Sequence, residues 1–174
     1  MNKIDHFVHR YDKTGECGAN GHRAEQVFAE LLRKEGFIVR MATFPEQMAS
    51  IDVIAEKNNQ KVTFDVKSRK RVSRNDISVQ DEFVWLEIKN TAGNLGSLFG
   101  TADRMSFEME DSFVIVDRNK LIDFVKKKCN LRKIARTASE ALYSNYSRAG
   151  RKDSLTLIKK EDVIKLAKRI LQKN

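Results

Sequence analysis

Two short segments most constrain what this chain can fold into: residues 50–55 (Ser-Ile-Asp-Val-Ile-Ala) and 61–68 (Lys-Val-Thr-Phe-Asp-Val-Lys-Ser). Both are rich in β-branched and aromatic side chains, and residues 57–60 (Lys-Asn-Asn-Gln) between them read as a turn, so the pair predicts a β-hairpin. Side chains alternate between the faces of a strand. Val62, Phe64 and Val66 therefore share one face, and Thr63, Asp65 and Lys67 share the other. In the first strand Asp52 falls with Ile54. Two carboxylates and an ammonium can then meet on one side of the hairpin, among neighbours that look buried.

Metal-assisted phosphodiester cleavage needs such a grouping. Carboxylate oxygens suit Mg²⁺, which takes one or two carboxylates together with waters and substrate phosphate. The bound ion lowers the pKa of a water and offsets charge on the phosphoryl group. A lysine two residues beyond a ligand points into the same site and can steady the developing charge. The plain alternative is a cross-strand Asp–Lys ion pair on a solvated face, a pattern common in sheets.

The rest of the chain sets the context. Its 174 residues are 41% hydrophobic and 33% charged, which fits a single domain over 1–174 with a real core. No apolar run approaches the length of a membrane helix, and the first residues lack the apolar stretch of a secretory signal. Cys17 and Cys129 are far apart and make no Cys-x-x-Cys, so neither a zinc site nor a disulfide framework is indicated and a reducing cytoplasm is the expected setting. The charge is uneven. Residues 1–117 hold 16 Lys and Arg against 19 Asp and Glu, whereas residues 118–174 hold 17 against 5. A near-neutral core of about 19–117 with a basic extension over 118–174 fits a polyanionic partner; a lysine-rich solvated surface is the other reading.

In chain order, His6 and His9 form a His-x-x-His with no third ligand nearby. A helix is expected from about Gly21 to Glu35, capped by Asn20 and stopped by Gly36, with Ala24, Val27, Phe28, Leu31 and Leu32 as its core stripe. Glu25 lies at the rim of that stripe, where it either leans over the sheet or is an ordinary solvated helix glutamate. Strands are expected over 37–42, 81–89 and 112–117. Arg69, Lys70, Arg71 and Arg74 form a basic connection able to hold phosphates. Glu87 and Lys89 are candidates for a further contact to substrate or metal, or for a cross-strand pair. The loop at 90–96 lacks the spacing of a mononucleotide site. Beyond Lys120 the pattern reads as helical, ending in a helix over 160–172. Arg148, Arg151 and Lys152 read as a backbone-contacting loop, because arginine forks fit phosphate oxygens.

Glu25 in a helix, Asp52 in the second strand and Asp65-Val66-Lys67 in the third resemble the PD-(D/E)xK nuclease superfamily, which includes many restriction endonucleases and Holliday-junction resolvases. The likeness covers about residues 21–68, and strand order extends it to about 117. It implies an α/β fold, a restriction-endonuclease-like central mixed β-sheet flanked by helices, here with a basic helical C-terminal region. It implies a Mg²⁺-dependent nuclease acting on DNA, with Mn²⁺ as a substitute and a homodimer as a common state of relatives. Asp52, Asp65 and the Val66 carbonyl would bind the ion, Glu25 would hold it or its waters, and Lys67 would assist the water. Residue 51 is Ile where the pattern has Pro, and Asp65 stands where Glu is frequent, so its reach is shorter. The alternative function is a nucleic-acid-binding protein that keeps this fold without turnover.

Overall fold

The computed structural model describes residues 15–73 and 75–173, so His6, His9 and Arg74 lie outside the described residues. Helix α1 (Glu16–Lys34) turns Ala24, Phe28, Leu31 and Leu32 inward, the spacing of one helical face. It begins at Glu16 with Gly15 as N-cap, earlier than the expected cap Asn20, which lies inside the helix; Gly18 and Gly21 lower helix propensity yet are accommodated in the first two turns. It stops where expected: Gly36 takes φ 82°, its N–H donates to the Arg33 carbonyl, and the Phe37 N–H donates to that of Leu32.

Strand β1 (Ile38–Met41) leads to the short helix α2 (Phe44–Met48), which opens on a capping box between Thr43 and Glu46. Strands β2 (Val53–Lys57) and β3 (Gln60–Lys67) then form the hairpin, Val53 opposite Phe64 and Lys57 opposite Gln60. Its two-residue loop, Asn58 and Asn59, has both φ values near +55°. That is the conformation a tight hairpin of right-twisted strands requires, and asparagine tolerates it.

The remaining strands are β4 (Phe83–Lys89), β5 (Arg104–Glu108) and β6 (Ser112–Asp117). After helix α3 (Arg118–Lys128) come β7 (Asn130–Ile134), β8 (Ser144–Asn145), β9 (Ser154–Lys159), helix α4 (Lys160–Lys165) and β10 (Ala167–Gln172). The main sheet has six strands in the order β1-β2-β3-β5-β6-β10, with β3 and β5 parallel and the other neighbours antiparallel. The fold is therefore a mixed α/β arrangement, with four α-helices among the described residues. Strand alternation splits the core between the two faces of the sheet. Phe64, Phe113 and Ile115 meet α1 on one face, where the Phe28 ring lies 5.0 Å from Phe64 and 5.2 Å from Phe113. Val114, Val116, Met105 and Phe107 meet α3, α4 and the β4–β9 ribbon on the other. No helix among the described residues is long and apolar enough to cross a membrane.

Two expectations are corrected. The C-terminal region is not a basic helical extension: α4 ends at Lys165, and residues 167–172 add β10 to the open edge of β6. Unpaired backbone groups on that edge, and a buried slot for Leu171 in the α1-side core, outweigh the helical propensity of the Lys-Leu-Ala-Lys-Arg run. Second, β4 does not join the main sheet; β5, which the sequence did not suggest, lies beside β3 instead.

Glu108 at the end of β5 holds three distant pieces together. Its side chain is 1% exposed and accepts hydrogen bonds from Arg23 of α1 (2.7 Å), the Arg69 N–H (3.2 Å) and Lys173 (3.0 Å). Burial opposes its ionisation, yet these donors together hold the carboxyl below the usual range. Glu108→Gln is expected to cost about 1–3 kcal/mol, since buried donors lose a charged acceptor. The folded carboxyl titrates below its unfolded value, so the stabilisation is complete above about pH 4.3 and fades as pH falls through the folded pKa. Urea unfolding of both proteins checks this: the gap should be full at pH 7 and shrink below pH 4. A gap that widens in acid would contradict it.

Candidate active site

The site forms where β2 begins and β3 ends. The Asp52 N–H donates to the carbonyl of Phe64 (2.8 Å), the residue already paired with Val53, so Asp52 and Val53 both stand against Phe64 in the manner of a β-bulge and Asp52 lies just past the paired register, within electrostatic range of Asp65. Asp52 Oδ2 accepts the Val66 N–H at 2.7 Å, standing in for a backbone partner where β2 has run out. The Val66 carbonyl points to that same side, because N–H and C=O of one strand residue face the same neighbour. Asp65 is 1% exposed; Lys67 Nζ lies 2.7 Å from its Oδ1, and Arg118 Nη2 lies 3.4 Å from its Oδ2.

Glu25 reaches this group from α1. Its side chain is 15% exposed, and it sits 3.7 Å from His22 Nδ1 and within electrostatic range of Asp65, Asp52 and Lys67. Burial raises its carboxyl above the usual range, and Asp65 adds to that, against the pull of His22 and Lys67. Burial and then the Asp65 charge push Asp52 up to about 7, despite Lys67 and the Val66 N–H. Lys67 behaves in the opposite way. Burial works against its charge, but Asp65 and Asp52, with Glu87 beyond, hold the ammonium above the usual lysine value. It is thus a cation at neutral pH, able to donate and to balance charge and unable to act as a base.

Glu87 of β4 faces the same region and accepts the Ser97 N–H at 3.1 Å, while Lys89 is exposed at the end of the strand. Arg118 is the residue the sequence reading missed. It is buried at the start of α3 and donates to the carbonyls of Ala102 (2.6 Å), Leu98 (3.0 Å) and Ser97, which aims its remaining nitrogen at Asp65. Nothing in the sequence sets it apart from the other cations of the C-terminal third.

The basic residues expected to hold phosphates are mostly engaged within the protein. Arg69 Nε lies 2.6 Å from Asp81 and Arg71 lies 3.4 Å from Glu16. Gln80 donates to the Lys70 carbonyl. Arg148 is paired at 2.5 Å with Asp153, a fully buried carboxylate that also accepts the Arg148 N–H. Arg151 is half-buried, and Lys152 is exposed with its stem against Gly93.

Among the described residues, no three His, Cys, Asp or Glu side chains stand together at metal-ligand spacing. The donor chemistry nevertheless fits a hard divalent cation: two neighbouring carboxylates and a carbonyl supply oxygen only. Burial, and then the Asp65 charge, lift Asp52 to about 7, and a bound cation would offset both.

The raised Asp52 carboxyl has a stability consequence. Asp52 titrates near 7 when folded and near 3.9 when unfolded, so between those values the native state binds the extra proton and stability falls as pH rises. Asp52→Asn keeps an acceptor for the Val66 N–H and removes the charge. In EDTA the variant is expected to melt above the wild type at pH 8, with the difference disappearing toward pH 4. Equal melting temperatures at pH 8 would show that the carboxylate is not under strain.

Comparison of the chain with protein-family models, with curated proteins and with solved structures finds no match.

Proposed function

We propose that this protein is a Mg²⁺-dependent nuclease that hydrolyses phosphodiester bonds in DNA, on a fold of the restriction-endonuclease-like kind. The observation that carries the reading is the Asp52 carboxylate held on the Val66 N–H (2.7 Å) within electrostatic range of Asp65, with Lys67 2.7 Å from Asp65. The order of elements supports it: a helix bearing Glu25, then strands bearing Asp52 and Asp65-Val66-Lys67, as in the PD-(D/E)xK pattern.

Asp52, Asp65 and the Val66 carbonyl would hold the ion, and Mn²⁺ could replace Mg²⁺. When bound, the ion supplies an acidified water and neutralises phosphoryl charge. The chain's own residues do the rest. Asp52 gives up its proton as the site is filled and keeps the Val66 N–H as an orienting donor. Lys67, held protonated, donates to the charge that develops on the phosphoryl oxygens. Glu25, its carboxyl raised, is suited to accept a proton from the attacking water. Arg118, fixed by three carbonyls, orients Asp65 from behind.

One observation favours a second reading, a non-catalytic nucleic-acid-binding protein: Lys67 and Arg118 between them engage both oxygens of Asp65, so its charge is balanced by the protein alone. Asp65→Asn separates the two. A neutral amide is a poor ligand for a hard cation, so plasmid nicking in Mn²⁺ is expected to fall roughly 10³-fold, a loss of about 4 kcal/mol of transition-state stabilisation. DNA binding in EDTA is expected to hold or tighten slightly, because a negative charge has gone. A variant that nicks at the wild-type rate would remove Asp65 from the site. Wild-type protein that binds but never nicks would leave the binding reading in place.

A further inference from the structure

The +12 balance of residues 118–174 is not spread evenly over the surface. Several of its cations are spent on the fold: Arg118 on Asp65, Arg148 on Asp153, Lys168 on Asp117, Arg169 on Glu35 and Lys173 on Glu108. Of the twelve that remain, six lie close together in sequence, Lys126, Lys127, Lys128, Arg132, Lys133 and Arg136, in a stretch with no acidic residue inside it. All six are exposed. Among the described residues none of these six side chains forms an ion pair. Lys128 lies over the Tyr143 ring, 5.6 Å from its centroid.

The frame beneath them is rigid. Leu121 and Val125 fix α3 against the second core, so its last turn presents the three lysines outward. The chain then enters β7 with Leu131 turned inward and Arg132 and Ile134 on the opposite side, Ile134 being 66% exposed. β7 pairs only with the two-residue β8, which leaves its other edge open. Acidic groups nearby offset this charge only in part: Glu140, Asp162 and Asp123 are three carboxylates against six cations. A helix C-terminus favours one or two cations, and an edge strand is commonly guarded by one. Six unpaired cations exceed both needs.

We infer that the α3–β7 surface grips the phosphate backbone of duplex DNA, an inference that takes its choice of polyanion from the nuclease reading. Lys126 to Lys128 follow Arg118 by eight to ten helical residues, about 12–15 Å along the axis. Arg118 touches Asp65, so the grip lies about four base-pair rises of roughly 3.4 Å from the site. Such a contact positions the duplex without reading its sequence.

The test compares two full-length variants of equal charge. One carries Lys126→Ala, Lys127→Ala, Arg132→Ala and Lys133→Ala; the other carries Lys34→Ala, Lys61→Ala, Lys159→Ala and Lys165→Ala, all exposed elsewhere. Affinity for a short random-sequence duplex is measured in EDTA from 50 to 200 mM salt. The first variant is expected to lose about 3–4 from the slope of log affinity against log salt, near 0.9 per phosphate contact, and the second little. Equal slopes for the two variants, or no duplex binding by the wild type at 50 mM salt, would overturn the inference. So would a first variant that loses phosphatidylserine vesicles but keeps the duplex. Scoring the same proteins for nicking keeps the two readings apart. Wild-type binding through this surface without nicking ends the nuclease reading and leaves the inference standing, and nicking with an unchanged slope does the reverse.

Discussion

Because β2 and β3 are antiparallel and joined by only Asn58 and Asn59, their register is fixed: it ends with Val53 opposite Phe64 and leaves the Asp52 carboxylate on the Val66 N–H, beside Asp65. A slip of one residue would turn Asp65 and Lys67 to the α1 side of the sheet and drive Phe64 and Val66 out of the core. Hydrophobic burial and site geometry therefore enforce the same register. Phe64 and Val66 cannot be buried against α1 without Asp65 and Lys67 facing the other way. The site is a consequence of core packing as much as of its own contacts.

Two carboxylates so placed repel each other, and the surrounding structure absorbs the cost. Lys67 and Arg118 flank Asp65, the Val66 N–H satisfies Asp52, and the proton that Asp52 retains to about pH 7 removes the rest of the repulsion. Arg118 is held by carbonyls of the 97–102 segment, so that segment is tied to the site through one guanidinium. On the far side Glu108 fastens α1, the start of the 68–81 connection and the C-terminal strand. A site under strain needs a frame that cannot relax, and these two buried charged groups supply it.

Local signals explain what could be read from the sequence. The β-branched segments around Asp52 and Asp65, the Asn-Asn turn, the Phe28 stripe of α1, its Gly36 stop and the apolar run of β6 each carry their own pattern, and each appears near its expected place. The misses lack such a pattern. β5 reads Arg-Met-Ser-Phe-Glu, which suggests a half-exposed segment; its Ser106 and Glu108 are buried, and Glu108 is tolerated only because Arg23 and Lys173 arrive from the two ends of the chain. β10 has helical composition and becomes a strand because β6 offers an edge. The roles of Arg118 and of the ion pairs that engage Arg69 and Arg148 depend on partners that meet only in three dimensions.

The central claim is that Asp52 and Asp65 form a divalent-cation site held ready by burial and by their mutual repulsion. Calorimetric titration with Mn²⁺ at pH 6 and pH 8 tests it most directly. If the ion takes the place of the Asp52 proton, binding should be about tenfold tighter at pH 8, and close to one proton should be released per ion at pH 6 and few at pH 8. Asp52→Asn should bind weakly at both values. Binding that is absent, or equally tight at the two pH values with no proton released, would contradict the account.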